Sequence, residues 1–229
     1  MRSVWNLRVC VLIAGLLIGG GAVTAGPLAM DFSGGQLFSV GSFPNVGWQF
    51  NVTSTVTVTA LGVLDTGSDG LTDQHQVGLW NNGGALLAQT TITNASTVVA
   101  SAFAGGRWLF NDIAGQVLAP GTYVVGAFYP TNADQVIGSA TGFTTIPQIT
   151  FAASRTSATN SFTEPGVYGL VEPGVFGPNF QVSAVGVPEP ASLLLLGVGL
   201  LGVVWPAPSV LKSSPVTFLT RACVIFSLM

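Results

Sequence analysis

Through the middle of the chain, apolar and polar residues alternate at period two, and helical spacing is hard to find. Thr53-Ser54-Thr55-Val56-Thr57-Val58-Thr59-Ala60 sets β-branched apolar residues against hydroxyls, the pattern of a strand with one buried face. The same reading predicts strands over 46–52, 53–60, 75–80, 86–93, 107–113, 122–129, 149–153 and 180–185. Turn-forming clusters separate them: Phe43-Pro44-Asn45, Ser68-Asp69-Gly70, Asn81-Asn82-Gly83-Gly84, Ala119-Pro120-Gly121 and Pro130-Thr131-Asn132. Asn82-Gly83 between two strand-like runs predicts a hairpin, because both residues tolerate positive φ. Many short strands with frequent turns predict an all-β, jelly-roll-like β-sandwich over residues 30–187. A short repeat follows, Glu164-Pro165-Gly166-Val167-Tyr168 and Glu172-Pro173-Gly174-Val175-Phe176. Two copies are too few for a solenoid and predict a pair of turns leading into short β segments.

Both ends break the alternation. Arg2 and Arg8 flank the start of a short apolar core over 9–20, and Val23-Thr24-Ala25 offers a small-residue cleavage site, so residues 1–25 read as a signal peptide. A second possible cut follows Ala29. An uncleaved anchor would need about 20 apolar residues, and this core is shorter. Near the other end, Val187-Pro188-Glu189-Pro190-Ala191-Ser192 leads directly into an uncharged run of Leu, Gly and Val ending at Trp205. The two prolines favour an extended approach to that run. The pattern closely resembles the PEP-CTERM sorting tail of exported bacterial proteins. The resemblance implies a transmembrane sorting helix over 188–205 and processing by an exosortase-type protease at Pro188, Glu189 and Pro190. It also implies a membrane-anchored precursor released to the cell surface or beyond, in bacteria that make exopolysaccharide.

The tail departs from that family after Trp205. Where the family carries an arginine cluster that holds the cytoplasmic side, this chain reads Trp205-Pro206-Ala207-Pro208-Ser209 and then a second apolar stretch interrupted by Arg221. Residues 206–229 are therefore an atypical tail. One explanation is a reading-frame shift in the gene, since arginine codons read one base out encode Pro-Ala-Pro. Resequencing the locus tests it.

Composition narrows the function classes. The middle domain contains no lysine, and its eight acids against two arginines leave it about six negative charges. No basic patch is available to track phosphates, which argues against nucleic-acid binding. Cys10 and Cys223 both fall in the terminal segments, so the exported domain has no disulfide and no thiol chemistry.

The most distinctive internal stretch runs from Leu64 through Asp65, Asp69 and Asp73 to His75-Gln76-Val77-Gly78-Leu79-Trp80. Together with Leu118-Ala119-Pro120-Gly121-Thr122-Tyr123, it resembles a domain common among PEP-CTERM exported proteins, to which no catalytic residues attach. Asp65, Asp69 and Asp73, with Ser68, are candidate ligands for a Ca²⁺ ion in an oxygen cage. Their spacing is not that of an EF-hand, and aspartate beside glycine is also ordinary turn chemistry. His75 is the sole histidine. No Gly-x-Ser-x-Gly elbow accompanies it, so a strand-start ring held by local hydrogen bonds is expected. Glu164 and Glu172 both precede Pro-Gly and are expected in exposed turns, which argues against glycosidase chemistry. Trp48, Trp80 and Trp108 are expected in the core, with stacking on sugar rings as the alternative.

These readings give no catalytic site. The expected function is a non-enzymatic surface or matrix protein without a cofactor. The alternative is a polysaccharide-binding module assisted by Ca²⁺.

Overall fold

The computed structural model describes residues 26–167 and 174–183, and their regular structure is entirely β. In chain order the strands are β1 (Met30–Asp31), β2 (Gly34–Phe38), β3 (Asn45–Val52), β4 (Val56–Asp65), β5 (His75–Asn81), β6 (Leu86–Ile92), β7 (Thr97–Ala100) and β8 (Arg107–Leu118). Then come β9 (Gly121–Phe128), β10 (Val136–Thr141), β11 (Thr144–Thr145), β12 (Ile149–Ser157), β13 (Gly166–Val167), β14 (Val175–Phe176) and β15 (Pro178–Val182). A six-stranded sheet runs β13-β12-β3-β9-β5-β6 and a four-stranded sheet runs β15-β4-β8-β7, all pairs antiparallel. Two smaller sheets, β14-β10-β2 and β1-β11, complete the unit. The predicted signal peptide, the sorting helix and the tail after Trp205 lie outside the described residues.

Aromatic side chains join the two large sheets. Trp48 on β3 stacks on Phe180 of β15 with ring centres 5.7 Å apart, and Phe50 packs on the same ring at 4.8 Å. The Trp48 indole donates to the Pro178 carbonyl at 2.9 Å, so its one polar atom is paired inside the core. On β4, Val56, Val58 and Ala60 are buried while Thr57 and Thr59 are only half-buried, as the alternation predicts. From Leu61 to Asp65 every residue is buried. The N-terminal segment supplies part of the cover: Phe32 packs edge-on against Trp108 on the neighbouring β8, and Asn179 on β15 donates to the Met30 carbonyl.

The predicted run over 53–60 straddles a corner. Thr53 to Thr55 leave the six-stranded sheet, with the Thr53 amide bonded to the Gln148 carbonyl, and β4 begins at Val56 in the other sheet. The hairpin between β5 and β6 forms as predicted, but its left-handed residue is Gly84 (φ 81°). Asn81 organises the turn by accepting the amides of Gly83 and Ala85 on its side-chain oxygen.

The outer face of the six-stranded sheet carries a row of glycines. Gly47, Gly126 and Gly78 lie side by side across β3, β9 and β5. Pro165 and Phe162 rest in that trough: a methyl added at Gly126 would lie 2.6 Å from Pro165, and one at Gly78 would lie 2.8 Å from Phe162. The fully buried Asn45 ties the segment down, donating to the Thr159 and Ser161 carbonyls and accepting the Thr163 amide. The two repeat copies lead into β13 and β14 as short β segments. Pro165 and Gly174 are buried rather than exposed, and Glu172 and Pro173 lie outside the described residues.

Candidate functional site

Most of the charge gathers at one end of the unit, where the loops after β4 and β9 meet. The loop after β4 turns through Ser68 (φ 54°) and Gly70 (φ 104°). Ser68 donates to the Gly105 carbonyl at 2.8 Å, and the Gly70 amide donates to Asp65 at 3.0 Å. Asp65, at the end of β4, has a side chain only 3% exposed and pairs with the Arg107 Nε at 2.9 Å across the β4–β8 ladder.

Asp134, from the loop after β9, organises the other half. Its carboxylate accepts the amides of Thr72 and Asp73 and lies 2.9 Å from His75 Nε2. Burial pushes this carboxyl up, but the two backbone amides and the His75 ring outweigh burial and hold it below the usual carboxylate range. His75 opens β5 and is almost fully buried, with its Nδ1 3.1 Å from the Phe128 carbonyl. Its ring also packs 4.3 Å from that of Tyr129. Burial, and then the Asp134 charge, push the Tyr129 phenol above its ordinary value, so it stays neutral. The Tyr129 hydroxyl has no hydrogen-bond partner among the described residues.

Asp65, Asp69 and Asp73 do not converge as a Ca²⁺ cage requires. Asp65 is spent on Arg107 and Gly70, Asp73 accepts the Thr131 hydroxyl, and Asp69 is exposed. Among the described residues, no group of three or more His, Cys, Asp or Glu side chains is placed to hold a metal ion. The physical reason is internal competition: an arginine, a hydroxyl and backbone amides already supply the positive partners a cation would have supplied. A cleft of about 200 Å³ opens beside this loop, lined by Leu37, Leu64, Asp65, Asp69 and Asp134 among others.

The other sequence candidates are also placed. His75 matches the expected strand-start role, and with both ring nitrogens engaged it has no free nitrogen to serve as a general base. Trp48, Trp80 and Trp108 are all buried, at 0%, 4% and 0% exposure, so none presents a ring face for stacking on sugar. Trp80 instead lies against Phe162 on the outer face. Sequence reading missed Asp134, which sits in a turn-rich segment with no periodicity to mark it. Pro188, Glu189 and Pro190 lie outside the described residues.

Comparison with curated proteins and with solved structures finds no match. Residues 186–205 match the family model of the PEP-CTERM protein-sorting motif. The chain therefore carries a PEP-CTERM sorting motif, the signal of an exported protein with a membrane-anchored precursor that an exosortase processes.

Proposed function

We propose that this chain is a non-enzymatic structural or interaction protein of the cell surface or extracellular matrix, exported, anchored as a precursor and then released by an exosortase-type protease. The observation that carries the reading is the sorting motif over 186–205. The internal use of the polar side chains supports the non-enzymatic part: the one histidine and most of the clustered carboxylates hold loops together. The chain path supports a jelly-roll-like sandwich. Consecutive β3 and β4, in opposite sheets, pair with β9 and β8, so that one two-stranded ribbon wraps around the core. Such folds host many roles, so the sorting signal has to carry the function. A polysaccharide-binding reading gains nothing from the buried tryptophans or the dispersed aspartates.

The test is on the sorting segment. Replacing Glu189→Ala leaves the precursor at its membrane-bound size on immunoblots of fractionated cells, while the parent chain is shortened and released. Equal processing of the two chains removes Glu189 from the recognition step.

A further inference from the structure

Asn82 is the only asparagine in the chain followed by glycine, and Asp69 is the only aspartate so followed. In such pairs the backbone amide closes most readily on the preceding side chain, because glycine has no Cβ to hinder the approach. Asn82 and Gly83 are both exposed in the β5–β6 hairpin, and Asp69 is exposed in the loop after β4.

The attacking nitrogen of each pair is held by a side-chain oxygen. The Gly83 amide donates to Asn81 at 2.9 Å, and the Gly70 amide donates to Asp65 at 3.0 Å. The two restraints differ in strength. Asp65 is buried and fixed by Arg107, so its carboxylate cannot swing away from Gly70. Asn81 is a neutral side chain, half-buried at the mouth of its turn, and its oxygen is shared between the Gly83 and Ala85 amides. Among the described residues, nothing hydrogen-bonds the Asn82 side chain.

We infer that Asn82 is a site of spontaneous deamidation, and that Asn81 restrains it by holding the Gly83 nitrogen. In the first step the Gly83 amide gives its proton to solvent and its nitrogen bonds to the Asn82 Cγ. The Cγ–Nδ2 bond breaks, and Nδ2 takes up a proton and leaves as ammonia. Water then opens the cyclic imide at either carbonyl, giving aspartate or isoaspartate, with no oxidation or reduction. The Asn81 oxygen opposes the first step, because a nitrogen without its proton has nothing to donate to that lone pair. Either product adds a carboxylate to a hairpin where the Glu164 carboxylate already lies beside Gly84. Isoaspartate also lengthens the backbone of a turn that sets the β5–β6 register, and β6 is an edge strand with a ladder on one side only.

The experiment incubates the full chain in detergent at mildly alkaline pH. Tandem mass spectrometry follows position 82, with isoaspartyl methyltransferase labelling as a second readout. Asn81→Ala removes the hydrogen bond and is expected to speed ammonia loss at Asn82 about fivefold, the equivalent of about 1 kcal/mol. Asn81→Asp keeps an acceptor in place and is expected to run no faster than the parent. Gly83→Ala hinders the attack and is expected to slow it. Equal rates in the parent and Asn81→Ala, both folded by circular dichroism, overturn the role of Asn81. Equal acceleration by Asn81→Ala and Asn81→Asp assigns the pace to loosening of the turn and overturns it too. If Asn81→Ala unfolds, Asn81→Asp decides, and a rate above the parent's overturns the restraint. Deamidation at position 82 that Gly83→Ala leaves undiminished, or that is absent from the parent and Asn81→Ala alike, overturns the site itself.

Discussion

Asp134 holds the Thr72 and Asp73 amides and the His75 ring with one carboxylate, so the entry to β5 is tied to the loop after β9 at three points. Hydrogen bonds to a charged group contribute about 1.5–3 kcal/mol each in favourable cases. Asp134→Asn keeps the shape but removes the charge, and is expected to cost about 2 kcal/mol at pH 7, or roughly 4–8 °C in melting temperature. Its carboxyl titrates lower in the folded chain than the ordinary value of about 3.9. The stabilisation is therefore complete above that value and is lost as pH falls through the folded-state value. Thermal melts from neutral to acid pH should show the parent losing stability steeply below about pH 4 and Asp134→Asn losing less; parallel curves would remove Asp134 from the acid response. At this scale the sequence pointed to the loop and to its turn chemistry, but not to the partners of its carboxylates. The Asp-Gly spacing marked a turn, but the partners of its carboxylates, Arg107 and Thr131, lie 42 and 58 residues away.

Among the elements, the strands over 75–80, 86–93 and 122–129 are close to those formed, because each alternates and is bounded by glycine, proline or asparagine, whereas the strand predicted over 107–113 runs on to Leu118. The short pieces β1, β2, β7, β10 and β11 were not legible. β10 is broken by a register shift and by Ser139 in the left-handed region, so no period of two survives in it. The glycine row was equally invisible, since Gly47, Gly78 and Gly126 become neighbours only through strand pairing. The row predicts a sharp difference between glycines. Gly126→Ala places a methyl 2.6 Å from Pro165 and is expected to cost about 1–3 kcal/mol through displacement of the strap. Gly138→Ala meets nothing closer than 3.6 Å and should change stability by less than about 1 kcal/mol. Urea unfolding midpoints of the two variants decide it, and equal costs would mean that the strap yields freely.

For the whole molecule, the described unit closes on itself: residues 27–29 bond to β15, and both cysteines lie outside it. Residues 26–183 are expected to fold alone, with a β-type circular dichroism spectrum and one cooperative unfolding transition unaffected by reductant. A fragment starting at residue 33 lacks the buried Phe32 and should be less stable by at least about 3 kcal/mol. A disordered or helical spectrum for 26–183 would contradict the fold. By itself the sequence determined the β class, most of the long strands, the absence of cysteine between residues 26 and 183 and the sorting address. All of these follow from local periodicity, from composition, or from a contiguous motif that needs no fold to be read. Only the tertiary structure decided which sheet each strand joins, which aspartates are spent on ion pairs and caps, and that charge collects where the loops after β4 and β9 meet. Those outcomes depend on contacts between residues 40 to 150 positions apart, and such contacts leave no trace in the local alternation of the chain.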